Sequence, residues 1–456
     1  MQDIPLDGIS SGCSWRGEPN SAYQAKEDNT QQGQLENGFT LHAPTPDQQA
    51  RYRTNQDLLD ELLYEGVSDA VANTVHPEPP GVDAPQHHLS SGQSTAKASL
   101  AVRRKALIVK FGQIGDVIMA VPAARALYER GFDIDWVCGR AVYPLLACYS
   151  WIRPIEVDDK SILRGSLPRR IGAVLHLWHR TVLTGYDLCA NLYYDRRFRL
   201  LTMPIRATRK LALQNDKRSA LLIAGRHHTD EFVRLLLDAE DTCRQQSTSP
   251  VSPDRLGPSP LPVTSAQRRI AIFPGGTSNV LGEQVLRRWP VQSYVSVAER
   301  LLTRGWQVLL LGGPEDLWVR SHFASMPVVD CLGSLTLPQV LSVCNTSDAV
   351  ITHDTGPLHL AGLSSACLIG IFGPTDPATR VPRRPFALGL WGGEGFACRP
   401  CYDGKDFAPC RFNGCMHQVS PERTLFELDR LLAAKGRAES EPWKVVSPMS
   451  EFPMFR

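Results

Sequence analysis

The chain has 456 residues, 43% of them apolar and 21% charged, which is more material than one hydrophobic core usually uses. We therefore expect two domains. No uninterrupted apolar run approaches the roughly 20 residues that span a bilayer, and the N-terminus lacks the basic start and apolar core of a secretory signal. Twelve cysteines in a chain of this length exclude a small disulfide scaffold. Together these features predict a cytoplasmic protein with reduced cysteines.

The net charge of +2 is distributed unevenly along the chain. The first hundred residues carry 14 acidic and 5 basic side chains, a net charge of −9, which leaves +11 for the remainder. A basic folded part favours anionic ligands such as nucleotide diphosphates, phosphorylated glycolipids or a membrane surface. An evenly solvated lysine and arginine surface would give the same net charge. We do not expect nucleic acid as a partner.

Residues 1–100 are rich in Gln, Ser, Asn, Asp, Pro and Gly, and they are poor in apolar side chains. Such a composition buries too little surface to offset the entropy of ordering, so we predict a largely disordered acidic extension. Between Asp57 and Val75, leucines and a valine recur at helical spacing. One short helix is therefore predicted there.

The first predicted domain covers residues 104–240 and opens with an apolar strand, a glycine turn (FGQIGD) and an amphipathic helix that ends at Gly131. Later strands and helices alternate, which is typical of a parallel sheet covered by helices. Asp116 follows the first strand at the start of the helix, at the sheet edge where open α/β folds hold ligands. Its carboxylate could accept a proton, or it could only cap the helix.

Residues 241–267 are dominated by Ser, Pro and Gln and are predicted to form an exposed linker. The second predicted domain covers residues 268–435 and repeats the alternation of strands and helices. The tail at 436–456 is expected to be free or to pack back on the first domain. The predicted fold class is α/β, with two similar domains that face each other across a cleft.

Three polar turns of the second domain, beginning at Pro274, Gly312 and His353, each follow a predicted strand. Because the carboxyl ends of parallel strands meet at one edge, we expect the three turns to converge. Their candidate ligand-binding residues include two glycines that allow close backbone approach, a hydroxyl, a carboxylate for ribose hydroxyls and an arginine pair for phosphate charge. These residues are Gly275, Gly276, Thr277, Glu315, Arg287 and Arg288.

The third turn, HDTGPLH, opens a short helix at Asp354, Thr355 and Gly356. The polar turn leaves backbone N–H groups free, and Pro357 suits the first helical turn because it lacks a donor. A phosphate would be well placed at this helix start. Polar turns of this kind are also required by any doubly wound fold, so the turn alone does not establish binding.

Four cysteines cluster late in the chain, at Cys398, Cys401, Cys410 and Cys415. Their C-x2-C-x8-C-x4-C spacing in a Gly- and Pro-rich loop could provide a tetrahedral zinc or iron site. The spacing is shorter than in a zinc ribbon, and reduced cysteines could equally pack a loop beneath the cleft. A structural metal is therefore one of two open interpretations.

Four motifs in the correct order, FGQIGDVIMAVPAARAL, FPGG followed by RRWP, LLLGGPED, and HDTGPLHLAG followed by IGIFGPTDP, resemble glycosyltransferase family 9, the ADP-heptose heptosyltransferases of lipopolysaccharide assembly. The similarity spans about Lys105 to Leu428. It implies two Rossmann-like domains in the GT-B arrangement, with the acceptor on the first and the nucleotide sugar mainly on the second. It also implies heptose transfer from ADP-heptose with inversion and without a bound divalent ion.

The same resemblance implies roles for individual residues. Asp116 matches the family's catalytic base, and Gly112 and Gly115 belong to the motif on the acceptor side. Glu315 matches an acidic residue near the adenosine ribose, and His359 lies on the helix of the diphosphate loop. Asp354, Thr355 and Gly356 match that loop, and Gly275, Gly276 and Thr277 complete its wall. Arg287 stands where the family commonly has lysine, which keeps the charge but changes the hydrogen-bond geometry.

The resemblance leaves the acceptor open. A lipopolysaccharide core or related glycolipid, reached by transient contact with the inner membrane surface, is the first interpretation. The cysteine-rich loop is also similar to the iron-holding region of autotransporter heptosyltransferases, which modify proteins, so a protein acceptor is the second. A nucleotide-sugar-binding protein that has lost turnover is the third.

Overall fold

The computed structural model describes residues 103–193, 198–213, 226–237, 249–263, 267–279, 282–402, 407–410 and 412–449. The predicted acidic extension, with its helix between Asp57 and Val75, lies outside the described residues. Among the helices that the structure describes, none combines the length and the apolar character that a bilayer crossing requires.

The first half of the described chain forms a parallel sheet of five strands, in the order β3-β2-β1-β4-β5. Its strands are β1 (Arg104–Val109), β2 (Phe132–Gly139), β3 (Ile152–Val157), β4 (Tyr186–Asn191) and β5 (Ala207–Ala212). Its helices are α1 (Ile114–Glu129), α2 (Tyr143–Leu146), α3 (Asp159–Arg164), α4 (Leu167–Thr181), α5 (Arg199–Thr202) and α6 (His228–Leu237). The ALIV segment of β1 is fully buried, as expected for a central parallel strand that helices cover on both faces.

The second half forms a parallel sheet of seven strands, in the order β10-β9-β6-β11-β12-β13-β14, and a two-stranded ribbon of β7 and β8. The strands are β6 (Arg269–Ile272), β7 (Ser278–Asn279), β8 (Gly282–Glu283), β9 (Gln307–Leu310), β10 (Val329–Asp330), β11 (Ala349–His353), β12 (Cys367–Phe372), β13 (Ala387–Trp391) and β14 (Lys444–Val446). The helices are α7 (Val291–Thr303), α8 (Leu337–Asn345), α9 (Gly356–Gly362), α10 (Gly414–His417) and α11 (Pro421–Gly436), with 3₁₀ turns at Val285–Arg287, Pro314–Phe323 and Pro377–Thr379.

Both sheets share one topology, because the chain reverses its direction of travel across the sheet after the third strand. The reversal lies between β1 and β4 in the first sheet and between β6 and β11 in the second. Crevices at such points hold ligands in open α/β folds. The turns after β1, β6 and β11 therefore occupy the places where this architecture binds its ligands, and the fold is the predicted GT-B arrangement of two Rossmann-like domains.

The tail does not follow either of its two expected placements. Lys444–Val446 pairs in parallel with β13 and becomes the last strand of the second sheet. Glu441 anchors this segment to α11, because it accepts hydrogen bonds from Arg430 and Lys444. A short strand flanked by charge pairs gave too weak an apolar pattern to be recognised as part of the sheet.

Part of the predicted linker, residues 249–263, is an ordered strap held from both sides. On the first-domain side, the Tyr149 hydroxyl donates to the Val251 carbonyl at 2.8 Å. On the second-domain side, the Ser252 hydroxyl donates to the Leu363 carbonyl at 2.6 Å, and Ser342 donates to Gly257 O at 2.7 Å. Its residues are mostly exposed or half-buried, as predicted, but its backbone is fixed.

Helix α6 joins the two halves along the cleft. It packs on α1, and its first residues reach the second sheet's loops. The His227 Nε2 lies 3.1 Å from the Val381 carbonyl, and the Arg383 guanidinium pairs with Asp230 at 2.7 Å. Ile118 of α1 is also buried within the apolar cluster beneath the second sheet. These contacts fix α1, and with it Asp116, against the second half of the chain.

Candidate active site

Asp116 lies in the first turn of α1 and forms an ion pair with Lys110, the residue after β1, at 2.9 Å between Nζ and Oδ2. The lysine side chain is 6% exposed, whereas the carboxylate keeps 22% of its exposure. Burial alone would raise the pKa of this carboxyl, but the charges of Lys110 and Arg380 and the Lys110 hydrogen bond hold the pKa well below its usual range. Asp116 is therefore an ionised carboxylate that still faces the cleft.

The second half contributes the start of α9, where Thr355 precedes the helix with extended backbone and makes no side-chain cap. Its hydroxyl instead donates to the His353 carbonyl at 3.3 Å. Pro357 occupies the first turn, as predicted. The first N–H groups of α9 thus have no cap from Thr355, which is the arrangement that suits an anion.

Asp354 precedes this helix start and is almost completely buried. Its Oδ2 lies 3.6 Å from Arg287 Nε, within ion-pair distance but without a hydrogen bond. Burial would raise the pKa of the Asp354 carboxyl, but the charges of Arg287 and Arg380 keep that pKa below its ordinary value. The structure thus places Arg287, predicted for phosphate charge, beside the carboxylate of the third turn.

The starts of α1 and α9 meet across the cleft. A Cβ atom on Gly115 would lie 2.6 Å from Cδ2 of His359, and a Cβ on Gly356 would lie 3.4 Å from Cβ of Ile114. Contacts below 3.0 Å do not occur for real Cβ atoms, so only glycine at position 115 lets the imidazole ring fit. Gly115, predicted on the acceptor side, faces the donor-side helix directly.

The three predicted turns converge, and Asp316 joins two of them. Its Oδ1 accepts from the Gly276 N–H at 2.7 Å and its Oδ2 from the Gly313 N–H at 2.8 Å. A Cβ on Gly275 would lie 2.2 Å from Asp316 Oδ1, whereas a Cβ on Gly276 would lie 3.3 Å from Thr355 Oγ1. Gly276 also adopts a φ of +85°, which favours glycine.

Glu315, the predicted ribose partner, is exposed beside this junction. Thr277 is buried, and its hydroxyl accepts a hydrogen bond from Arg288. The Arg288 guanidinium also pairs with Glu283 and lies over the Trp318 ring at 4.7 Å. We call the converging turns at 275–277 and 354–356, together with Arg287, the cradle. Arg288 therefore stabilises the wall of the cradle, while Arg287 faces the carboxylate of Asp354.

Arg380 is a buried cation that links both sides of the cleft. Its Nη1 lies 2.5 Å from Nδ1 of His228, at the start of α6, and its Nε has no hydrogen-bond partner within the part of the chain that the structure describes. Its charge acts on the carboxyls of both Asp116 and Asp354. Arg380 thus provides positive charge to a carboxylate of the first half, Asp116, and to a carboxylate of the second half, Asp354.

The chain is similar to known glycosyltransferases. The sequence profile described as glycosyltransferase family 9 (heptosyltransferase) matches residues 205–406. Lipopolysaccharide heptosyltransferase 1 of Pseudomonas aeruginosa is 27% identical over 348 residues, which cover 72% of this chain and 92% of that relative.

Two solved structures have the same fold. The family 9 glycosyltransferase from Veillonella parvula aligns with a TM-score of 0.56 at 17% identity, and E. coli ADP-heptose lps heptosyltransferase II with 0.54 at 20% identity. Each alignment covers 73% of this chain and 99% of the other. Residues 205–406 thus match glycosyltransferase family 9, and the chain resembles the heptosyltransferases of that family.

The histidines of this candidate site are neutral near physiological pH. Burial lowers the pKa of His359 from 6.5 to about 4 and that of His353 to about 3. The Tyr294 hydroxyl, 2.9 Å from Nδ1, holds the His353 ring in place. Positive charge for a bound diphosphate must therefore come from the arginines and the helix start.

The cysteine-rich loop covers the arginine side of the site. The rings of Tyr402 and Phe407 lie 4.7 Å apart at a tilt of 34°, and the Arg287 guanidinium lies over them at 5.1 and 5.2 Å. Within the described residues, no three His, Cys, Asp or Glu side chains are arranged to hold a metal. The metal assignment for Cys398, Cys401, Cys410 and Cys415 stays a prediction, and no step below depends on it.

One D-x-D pattern, the type that binds a divalent ion in other glycosyltransferases, occurs at Asp133 and Asp135. Both lie on β2 with partners of their own. Asp133 pairs with Arg103 at 2.7 Å, and Asp135 pairs with Arg153 and accepts from the Tyr186 hydroxyl at 2.9 Å. This pattern therefore stabilises the first sheet and does not belong to the cradle.

Sequence reasoning missed three residues of this site: Lys110, Asp316 and Arg380. Lys110 ends an apolar strand, where a charge is unusual and could have been noticed. Asp316 adjoins the predicted Glu315, and no local pattern favours one carboxylate over the other. Arg380 lies beyond the IGIFGPTDP motif in an irregular segment, where only tertiary structure brings it to the cleft.

We expect Gly115→Ala to disturb the contact between α1 and α9. The new methyl group would overlap the confined ring of His359, which should lower the free energy of unfolding by about 1–3 kcal/mol and weaken ADP binding. Gly172→Ala is the control, because nothing lies within 4 Å of a Cβ there and alanine favours a helix. Urea unfolding and calorimetric titration measure both effects.

A second substitution makes the Gly115 test specific. Combining Gly115→Ala with His359→Ala removes the overlapping ring and should recover part of the lost stability. Equal losses in the single and double variants would contradict steric exclusion by His359.

The buried histidines should make stability fall in mild acid. Between pH 6.5 and about 4, the unfolded chain binds a proton at position 359 that the folded chain does not. The contribution of neutral His359 to folding stability is therefore complete above pH 6.5 and is lost as the pH falls through 4. Each such histidine contributes a loss of about 2 kcal/mol at about pH 5. Urea unfolding from about pH 8 to about pH 5 measures the slope. His359→Gln should flatten it, whereas His176→Gln, on the exposed face of α4, should not.

Proposed function

We propose that this protein transfers heptose from ADP-heptose to a lipopolysaccharide core or a related cell-envelope glycan acceptor, with inversion and without a metal ion. The observation that carries the proposal is the meeting of an ionised, partly exposed carboxylate, Asp116, with an arginine-rich cradle across one cleft. The E. coli structure described as an ADP-heptose lps heptosyltransferase shares the fold, which supports this choice of donor and acceptor.

In the proposed reaction, Asp116 accepts the proton of an acceptor hydroxyl while that oxygen attacks the anomeric carbon. A new glycosidic bond forms, the bond between the anomeric carbon and the diphosphate oxygen breaks, and ADP leaves with the bonding electrons. A carboxylate with a lowered pKa is a weak base, so the proton transfers only as the new bond forms. A single displacement of this kind inverts the anomeric centre.

Lys110 has a positioning role in this scheme. Its ion pair with Oδ2 fixes the rotamer of Asp116 and keeps the carboxylate ionised. The exposed part of the carboxylate remains available to the acceptor. Because the lysine is almost fully buried, its loss would leave Asp116 with less charge compensation and a freer side chain.

The departing diphosphate gains negative charge, which the second half of the site is built to receive. Arg287 and Arg380 supply two cations, and the start of α9 supplies N–H donors. Such preorganised groups stabilise a developing charge without reorganisation during the reaction. This is the physical basis for proposing transfer without a divalent ion.

The experiment that tests the function is calorimetric titration with ADP, UDP, GDP and CDP without divalent metal, followed by a transfer assay. We expect a preference for ADP. Asp116→Asn should keep ADP affinity within about twofold and lower the transfer rate by about 10²–10⁴, the range of a general base. Asp133→Asn, on β2, is the matched control and should transfer normally.

The outcomes separate the alternatives. Preference for another base would overturn the donor assignment, and transfer by Asp116→Asn at the native rate would overturn its role as base. Binding of ADP without transfer to any glycan acceptor would favour a protein acceptor. Absence of transfer to glycan and protein alike would favour the non-catalytic binding protein.

Replacement of Arg380 should affect catalysis more than donor binding. Arg380→Gln removes a buried cation beside both carboxylates, so we expect kcat to fall by about 10²–10³. Arg380→Lys should recover only part of the loss, because lysine cannot reproduce the guanidinium geometry towards His228. Arg320→Gln, in a surface ion pair with Asp330, is the control. An unchanged kcat in Arg380→Gln would contradict the assignment.

A further inference from the structure

Helix α4 has an unusual outer face. The inner face packs on the first sheet through Val174, Leu177 and Trp178. On the outer face, where a soluble helix normally carries charge, Leu167, Ile171 and Leu175 recur every four residues and are 70%, 51% and 53% exposed. Among the residues that the structure describes, none covers this exposed row of three large apolar side chains.

The apolar row continues into a wider surface. Of the 13 large apolar side chains that are exposed among the described residues, six fall between positions 167 and 203, including Leu183, Leu200 and Met203. The Trp178 indole donates to the Leu201 carbonyl at 2.9 Å, which fixes α5 beside α4. The exposed apolar side chains are therefore carried by two neighbouring helices and the turn after α4, and concentrated apolar surface of this kind marks an interaction site.

The segment that carries this surface is basic, although the exposed Asp158 lies near Arg169. Residues 160–186 contain five Lys or Arg and two His but no Asp or Glu. Arg169 and Arg180 are exposed at the two ends of α4. An apolar row flanked by basic side chains is the pattern that binds the surface of an anionic bilayer, where apolar groups enter the interface and cations meet lipid phosphates.

The surface adjoins the acceptor side of the active site. Leu163 of α3 lies 3.7 Å from where a Cβ of Gly112 would be, beside the turn that presents Asp116. The Leu163 carbonyl accepts from Arg170 at 3.3 Å, which connects α3 to the start of α4. A bilayer in contact with α4 would therefore lie next to the entrance for an acceptor hydroxyl.

We infer that the outer face of α4, with Leu183, Leu200 and Met203, docks on an anionic lipid bilayer. The inference rests on the proposed function in one respect: docking on the bilayer would serve to present a lipid-linked acceptor to Asp116. Binding to the bilayer itself requires neither donor nor acceptor. The two ideas can therefore fail separately.

The experiment is flotation of the full chain with phosphatidylcholine vesicles, with and without phosphatidylglycerol, in the absence of sugar donor and acceptor. We expect binding to the anionic vesicles that weakens as salt screens the surface charge. The triple variant L167Q/I171Q/L175Q should bind on the order of a hundredfold more weakly. R169E/R180E should bind more than about tenfold more weakly.

Matched controls place the same changes elsewhere. V263Q/M449Q alters two exposed apolar residues outside the surface, and K435E/R437E reverses two charges on and just after α11. Both should bind vesicles like the native chain. Unchanged melting temperature and ADP affinity in all variants would show that the fold and the nucleotide site are intact.

Several results would overturn the inference. These are absence of binding to anionic vesicles by the native chain, equal losses in the control variants, or native-like binding by the triple variant. Concentration-dependent dimerisation that only the triple variant abolishes, without vesicle binding, would assign the surface to a second copy. In each case ADP binding would still report on the proposed function independently.

Discussion

The close packing of the His359 ring against Gly115 is the contact on which the rest of the site depends. It brings the start of α1, which carries the base, to the start of α9, which carries the anion cradle. No larger side chain than hydrogen fits at position 115, so this distance is set by sterics. Charge alone could not set it, because Asp116 and Asp354 carry the same sign and would repel each other across the cleft.

Two carboxylates at one cleft require compensating cations, and the chain supplies them from buried positions. Lys110 forms an ion pair with Asp116, and Arg287 lies within ion-pair distance of Asp354. The charge of Arg380 favours the ionised form of both carboxyls. Burying such charges costs desolvation energy that largely cancels their attraction, so the fold gains little net stability from these pairs. Their arrangement is better explained by function, because an incoming diphosphate would complete the charge balance.

The repeated alternation of strands and helices predicted both sheets and the carboxyl-edge positions of Asp116 and Asp354. Prediction worked there because βα units place strand ends by topology alone. It failed for Arg380 and for the tail strand, whose positions depend on long-range packing. It also could not identify Asp316 as the carboxylate that joins two turns, since only burial distinguishes it from the adjacent Glu315, whose ribose role stays a prediction.

The two buried histidines of the site supply no positive charge near neutral pH. Because His353 and His359 are buried and neutral, they contribute shape and dipoles, and protonation would place a poorly solvated charge in a packed core. The pH dependence of transfer should therefore not arise from the titration of Asp116, which is ionised throughout. It should follow the loss of histidine-dependent packing in acid, so activity and stability should decline together below neutral pH.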